Sequence, residues 1–302
     1  MKLGFALPVS GSWASPGSVR HVAGRAEELG YASVWTFQRL LSPVDGSWGE
    51  TYRSVLDPLV TLGYVAAATS RVRLGVAVLN LPFAAPALVA KQLATLDVLS
   101  GGRAEAGLGT GWAAEEFAAA GVDRAARGRR AEEFVPLLRS LLHDDVVDHA
   151  GEFYVVPRSR VRPRAVQPRL PLLLGGHAEA ALRRAGRLAD GWVSSSRQDL
   201  TEIGRSIGVV REAAAAAGRD PDELRMVCRG VVRLRSGRVA AREPLTGSVA
   251  QVRSDLAALA AQGVTEVFVD LNFDPEVGSP DADPVESLRR ADEALEGLAP
   301  GA

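Results

Sequence analysis

The chain has 302 residues, a net charge of −1 and 47% apolar residues. That length suits one α/β barrel with a sizeable core. The charge balance offers no basic face for nucleic acid or an anionic membrane, and no stretch approaches the roughly 18 continuous apolar residues of a membrane span.

Lys2 to Pro8 reads as a buried first strand, too short in its apolar run for a signal peptide and ended by Pro8. After a polar loop, Val19 to Leu29 has helical spacing and Gly30 stands at the C-cap position. Ala32 to Gln38 is the second strand, and Arg39 to Leu56 a long loop carrying Trp48 and Tyr52. Asp57-Pro58 opens a helix as N-cap and first-turn proline. Strand three is Val72 to Asn80, and Pro86 to Leu99 a helix stopped by Gly101-Gly102. Arg103 to Gly109 is strand four, followed by a short helix within 112–120 and a longer one from Arg127 to His143.

Residues 148–156 have the turn chemistry of a hairpin, and 158–169 read as a Pro- and Arg-rich surface connection. Leu170 to Leu174 is strand five, with a helix to about Ala189 behind Gly175-Gly176-His177. Strand six (191–196), a helix (201–217), strand seven (224–234), a polar loop without evident structure (235–247), a helix (248–262), strand eight (266–273) and a last helix (283–298) complete the chain. Eight βα units with several continuously apolar strands predict a closed (β/α)8 TIM barrel in a single domain over 1–302, with loop insertions at the C-terminal strand ends.

Candidate sites follow from those strand ends. Gly107-Leu108-Gly109-Thr110-Gly111 does not complete a dinucleotide fingerprint, because Trp112 stands where the last glycine would be. Its small residues serve either strand packing or the approach of a flat ligand to the backbone. Gly175-Gly176 precedes a helix, where free backbone N–H groups can bind a phosphate; an ordinary tight turn is the alternative. Arg39 directly follows strand two and could anchor an anionic substrate or stabilise negative charge, or simply face solvent. His21, His143, His149 and His177 are scattered, so no metal site is expected, and no serine-hydrolase elbow is present. Asp144, Asp145 and Asp148 read as a solvated acidic run. The one cysteine, Cys228, lies in the apolar run LRMVCRGVV, the setting of a buried thiol, and fits a reducing cytoplasmic environment.

Residues 57–117, with GYASVWTFQRL at 30–40 and LPLLLGGHAEAALRRAGRLADGWVSS at 170–195, resemble the luciferase-like monooxygenase superfamily, specifically its coenzyme F420-dependent oxidoreductase branch. The resemblance implies a (β/α)8 barrel and a non-prolyl cis peptide at Ala77–Val78 behind the cofactor ring. It implies cofactor contacts from Gln38, Ala77, Val78, Asn80, Thr110 and Gly111, and a phosphate-binding turn at Gly175, Gly176 and His177. Two departures stand out. Gln38-Arg39 replaces an Asp-His pair common among deazaflavin enzymes, and Trp112 replaces the catalytic Glu of the sugar-phosphate dehydrogenases. The acid–base residue is therefore not carried over; Glu115, Glu116, Tyr52 or water remain open.

The expected reaction is hydride transfer between F420 and the C=C, C=N or C=O group of a small organic substrate. Arg39 stabilises charge or anchors the substrate, and Trp48, Tyr52 and Trp112 wall its pocket. An FMN-dependent monooxygenase and a non-catalytic flavin-binding barrel are the alternatives. Family resemblance also allows a homodimer.

Overall fold

The structure is a computed structural model that describes residues 1–301. The strands are β1 (Lys2–Ala6), β2 (Ser33–Thr36), β3 (Arg73–Asn80), β4 (Ala104–Gly109), β5 (Val147–Ala150), β6 (Val155–Ser159), β7 (Leu172–Gly175), β8 (Gly191–Val193), β9 (Arg225–Val231), β10 (Arg233–Leu234), β11 (Thr246–Gly247) and β12 (Glu266–Asp270). The closed barrel runs β1-β12-β9-β8-β7-β4-β3-β2, every neighbouring pair being parallel. This is the expected (β/α)8 architecture. The β5–β6 hairpin is an antiparallel excursion outside the barrel.

The helices are α1 (Pro16–Glu28), α2 (Pro58–Ala66), α3 (Pro86–Ser100), α4 (Ala114–Ala119), α5 (Arg127–His143), α6 (Glu179–Leu188), α7 (Ile203–Ala216), α8 (Val249–Ala261), α9 (Pro275–Gly278) and α10 (Pro284–Gly297). Their ends follow local chemistry. The Asp57 carboxylate accepts from Val60 N at 2.9 Å, with Pro58 in the first turn of α2. Gly101, at φ 67°, closes α3 in the left-handed conformation that glycine adopts without steric cost. Ser248 and Gln251 form a capping box on α8.

Several strands are shorter than the apolar runs that announce them. Leu7, Val9 and Phe37 are buried but lie beyond their ladders. Apolar pattern reports burial, and at the C-terminal rim the chain stays buried after strand pairing ends. The expected strand over 224–234 divides into β9 and β10. The polar loop after it is more ordered than its composition implies. Its end, β11, pairs in parallel with β10, and Leu245 is fully buried at φ 62°. Asp255 holds this loop by accepting from Arg242 and, at 2.7 Å, from Leu245 N.

Inside the barrel, Trp35 stacks on Phe268 with ring centroids 4.9 Å apart. A Cβ on Gly75 would lie 2.5 Å from the Trp35 ring, so this strand glycine makes room for the indole. At the N-terminal end, Glu266 accepts from Ser33 Oγ and Arg73 Nη2, each at 2.5 Å, and from Arg225 Nη2 at 2.9 Å. Glu105 also binds Arg225. That end is closed by an ionic layer, leaving the C-terminal end for ligand chemistry.

Candidate active site

The register of β3 against β4 shifts between Val76 and Leu79, and the Ala77–Val78 bond within this bulge is cis, as expected. The Val78 side chain fills space that glycines leave on two neighbouring strands. A Cβ on Gly109 would lie 2.4 Å from Val78 Cγ2, and one on Gly175 would lie 3.0 Å from Val78 Cγ1. A Cβ on Gly107 would meet the Val76 carbonyl at 2.5 Å. Packing within the protein therefore accounts for Gly107 and Gly109, and the surface that this packing creates is a small-residue ledge around Val78.

Gln38 borders the ledge. Its Oε1 accepts from Asn80 N at 2.8 Å and from Asn80 Nδ2 at 3.3 Å, which turns the Gln38 Nε2 donor away from Asn80. Below the ledge, Arg229 donates to the Ala77 carbonyl and stands 3.4 Å from Asp270. Its guanidinium lies over Phe37, Phe268 and Phe273 at 5.3 to 5.4 Å. Sequence reasoning passed over this pair. A charged residue inside MVCRGVV, and another inside VFVDL, was the available signal, because buried ions need partners.

The predicted substrate-pocket residues meet around Arg39. Its guanidinium lies 4.9 Å from the Tyr52 ring centroid, 5.0 Å from that of Trp112 and 5.8 Å from that of Trp48. Arg39 Nη1 donates to Glu116 Oε2 at 2.8 Å, and Leu40 N donates to Glu116 Oε1 at 2.8 Å. Glu116 is fully buried. Burial pulls Arg39 below its usual pKa, opposed by the Glu116 carboxylate. Of the four open proton sources, Glu116 has both oxygens committed to the loop after β2, while Glu115 is exposed on α4.

The other predicted residues lie along the same rim. Thr110 and Gly111 continue β4, with Gly111 at φ 74° against Phe83 and Phe117. Gly176 has φ 142°, and its carbonyl accepts from Trp192 Nε1 at 2.8 Å. His177 is exposed, and the N-cap of α6 is Ala178, which offers no side-chain cap. The N-terminal N–H groups of α6 thus lack a side-chain acceptor, which suits an anion. Cys228 is buried and its thiol is pushed up to about 12 by burial, against a hydrogen bond with Ser194. Asp145 pairs with Arg160 at 3.3 Å and with Arg162.

Together these features define a (β/α)8 barrel with a small-residue ledge, an aromatic–arginine wall and an anion-accepting helix end at one rim. The chain belongs to the luciferase-like monooxygenase family, whose model matches residues 2–294. An uncharacterised protein of Mycobacterium tuberculosis (strain ATCC 25618 / H37Rv) is 32% identical over 283 residues, covering 89% of this chain and 90% of that one. The F420-dependent glucose-6-phosphate dehydrogenase of Kineococcus radiotolerans is 32% identical over 228 residues, 74% of this chain and 65% of the relative. The crystal structure of the monooxygenase RslO1 from Streptomyces bottropensis superposes with a TM-score of 0.82 at 23% identity, covering 99% and 98% of the two chains.

Proposed function

We propose that this protein is an oxidoreductase that transfers a hydride between coenzyme F420 and an organic substrate bearing a C=C, C=N or C=O group. The observation that carries the reading is the Val78 ledge at the ends of β3, β4 and β7, beside the uncapped start of α6. A planar ring fits the first, and a phosphate fits the second. The similarity to an F420-dependent dehydrogenase supports the deazaflavin. The replacement of that enzyme class's acid by Trp112 argues against a sugar-phosphate substrate.

In this reading Ala77 and Val78 back the ring. Gln38 offers its Nε2 donor to a ring oxygen, and Asn80, Thr110 and Gly111 edge the site. Gly175, Gly176 and His177, with the first N–H groups of α6, hold the phosphate. When bound, the deazaflavin supplies a carbon centre that gives or accepts hydride; orientation and electrostatics come from the protein. Arg39 is already paired with Glu116. It therefore acts by holding Trp48, Tyr52 and Trp112 as a substrate wall and by keeping positive charge near the reacting group.

The alternative, an FMN-dependent monooxygenase, draws support from the family's description as a monooxygenase. A fluorescence titration of cofactor-free protein with F420 and with FMN separates the two. Micromolar or tighter binding of F420, with FMN at least tenfold weaker, is the expected result. The reverse order overturns the proposal.

A further inference from the structure

Two cavities open at the C-terminal rim and share Ser196, Arg197, Val231 and Arg233 in their walls, so they form one groove. The larger, about 320 Å3, is the basic half: Arg197, Arg229 and Arg233 face Asp199 and Glu243. The smaller, about 190 Å3, is the aromatic half, with Trp48, Tyr52 and Phe273 in its wall. Arg229 ties the groove to the ledge, since it lines the basic half and donates to the Ala77 carbonyl.

The charges in the basic half are not equally engaged. Asp199 Oδ1 is taken by Thr201, at 2.8 Å from its N and 2.6 Å from its Oγ1. Arg229 is committed to Asp270 and Ala77. Arg233 meets Glu243 at 2.8 Å, but that carboxylate is 78% exposed, and such solvated pairs exchange easily for another anion. The Arg197 guanidinium pairs with no carboxylate among the described residues and lies 5.7 Å from the Trp112 ring. One free and one loosely held guanidinium thus face a groove whose other end is aromatic.

We propose that this groove is the substrate site and that its ligand carries an oxyanion at one end and a planar, unsaturated or aromatic body at the other. Arg197 and Arg233 take the oxyanion, for which the guanidinium fork is geometrically suited. Trp48, Tyr52 and Phe273 take the body and direct it toward Arg39 and the ledge. This assignment deepens the F420 reading and rests on it only for the identity of the hydride partner.

The test is calorimetric titration of the full-length protein, with and without saturating F420, using cinnamate, its neutral isostere cinnamamide, and inorganic phosphate. Cinnamate is expected to bind at least tenfold more tightly than cinnamamide or phosphate. Arg197→Gln and Arg233→Gln should each weaken cinnamate at least fivefold, while the exposed control Arg20→Gln leaves it unchanged. Equal affinity for acid and amide, unchanged cinnamate binding in Arg197→Gln, or displacement of cinnamate by equimolar phosphate would each overturn the proposal. Cinnamate binding to protein that takes up no F420 would sink the cofactor reading and leave the groove assignment standing. Tight F420 binding with no preference for the acid would do the opposite.

Discussion

Arg39 and Glu116 form an ion pair at the C-terminal rim, with Nη1 and Oε2 2.8 Å apart. The Arg39 side chain is 11% exposed and Glu116 is fully buried, so neither charge has bulk water to fall back on. Both Glu116 oxygens accept hydrogen bonds from the segment after β2, and the guanidinium then presents its face to three aromatic rings. Removing one partner strands the other. Glu116→Ala is expected to lower stability in urea by about 3–5 kcal/mol, the range for breaking a buried pair. The double variant with Arg39→Ala should recover part of that loss. A cost below about 1 kcal/mol in the single variant would class the pair with solvated salt bridges. On the proposed function, in which the wall and its charge act on substrate, Arg39→Ala should lose at least tenfold in turnover while F420 affinity holds. Full turnover in that variant would remove Arg39 from the mechanism.

Strand β3 with its neighbours sets the shape of the ledge. At the bulge Val78 packs against β4 and, beyond it, β7; glycine is needed at Gly109, where a Cβ would lie 2.4 Å from Val78, and the fit is tight at Gly175, where it would lie 3.0 Å away. Gly109→Ala places a methyl 2.4 Å from Val78 Cγ2, so Val78 must move. The expected cost is about 1–3 kcal/mol of stability, as for other overpacked cores. Affinity for the cofactor should fall at least tenfold. If thermal unfolding and cofactor titration of Gly109→Ala both match wild type, the ledge is not what holds the ring. The elements around it were largely legible beforehand. Asp57-Pro58 and Gly101 announced helix ends through backbone chemistry that needs no tertiary context. The order hidden in residues 235–247 was not legible. It depends on Asp255 of α8 reaching back to Arg242 and Leu245, a contact between segments that share no local pattern.

Two carboxylates anchor the N-terminal ends of the barrel strands: Asp190, half-buried just before β8, and Glu266, buried at the start of β12. Burial alone would push the Asp190 pKa up, but the Leu172 N–H, Arg139 and Arg169 more than offset it and hold the group below the usual carboxylate range. Glu266 is likewise penalised by burial and held low by Arg73, Arg225 and Ser33. Both groups bind protons less readily folded than unfolded. Their contribution is therefore fully present above the ordinary carboxylate pKa of about 4 and is lost as pH falls through the folded values. The urea midpoint should stay level from about pH 7 to 5 and drop steeply below about 4, and Asp190→Asn should lower it at pH 7 and flatten the acid limb. An Asp190→Asn protein with an unchanged acid limb would contradict this.

The amino-acid sequence by itself determined the eight βα units and most helix ends, because apolar periodicity and turn chemistry are local properties; the family was legible through the resemblance of residues 30–40, 57–117 and 170–195. It also singled out the small and aromatic residues at the strand ends. Only the tertiary structure decided what they do together: that Gly107 and Gly109 make room for the protein's own atoms, that Arg39 is spoken for by Glu116, and that Arg229, paired with Asp270 on the adjacent strand, reaches across the barrel to the Ala77 carbonyl. Closing the sheet brings strands far apart in the chain to one rim, and no spacing along the sequence records which side chains then share that space.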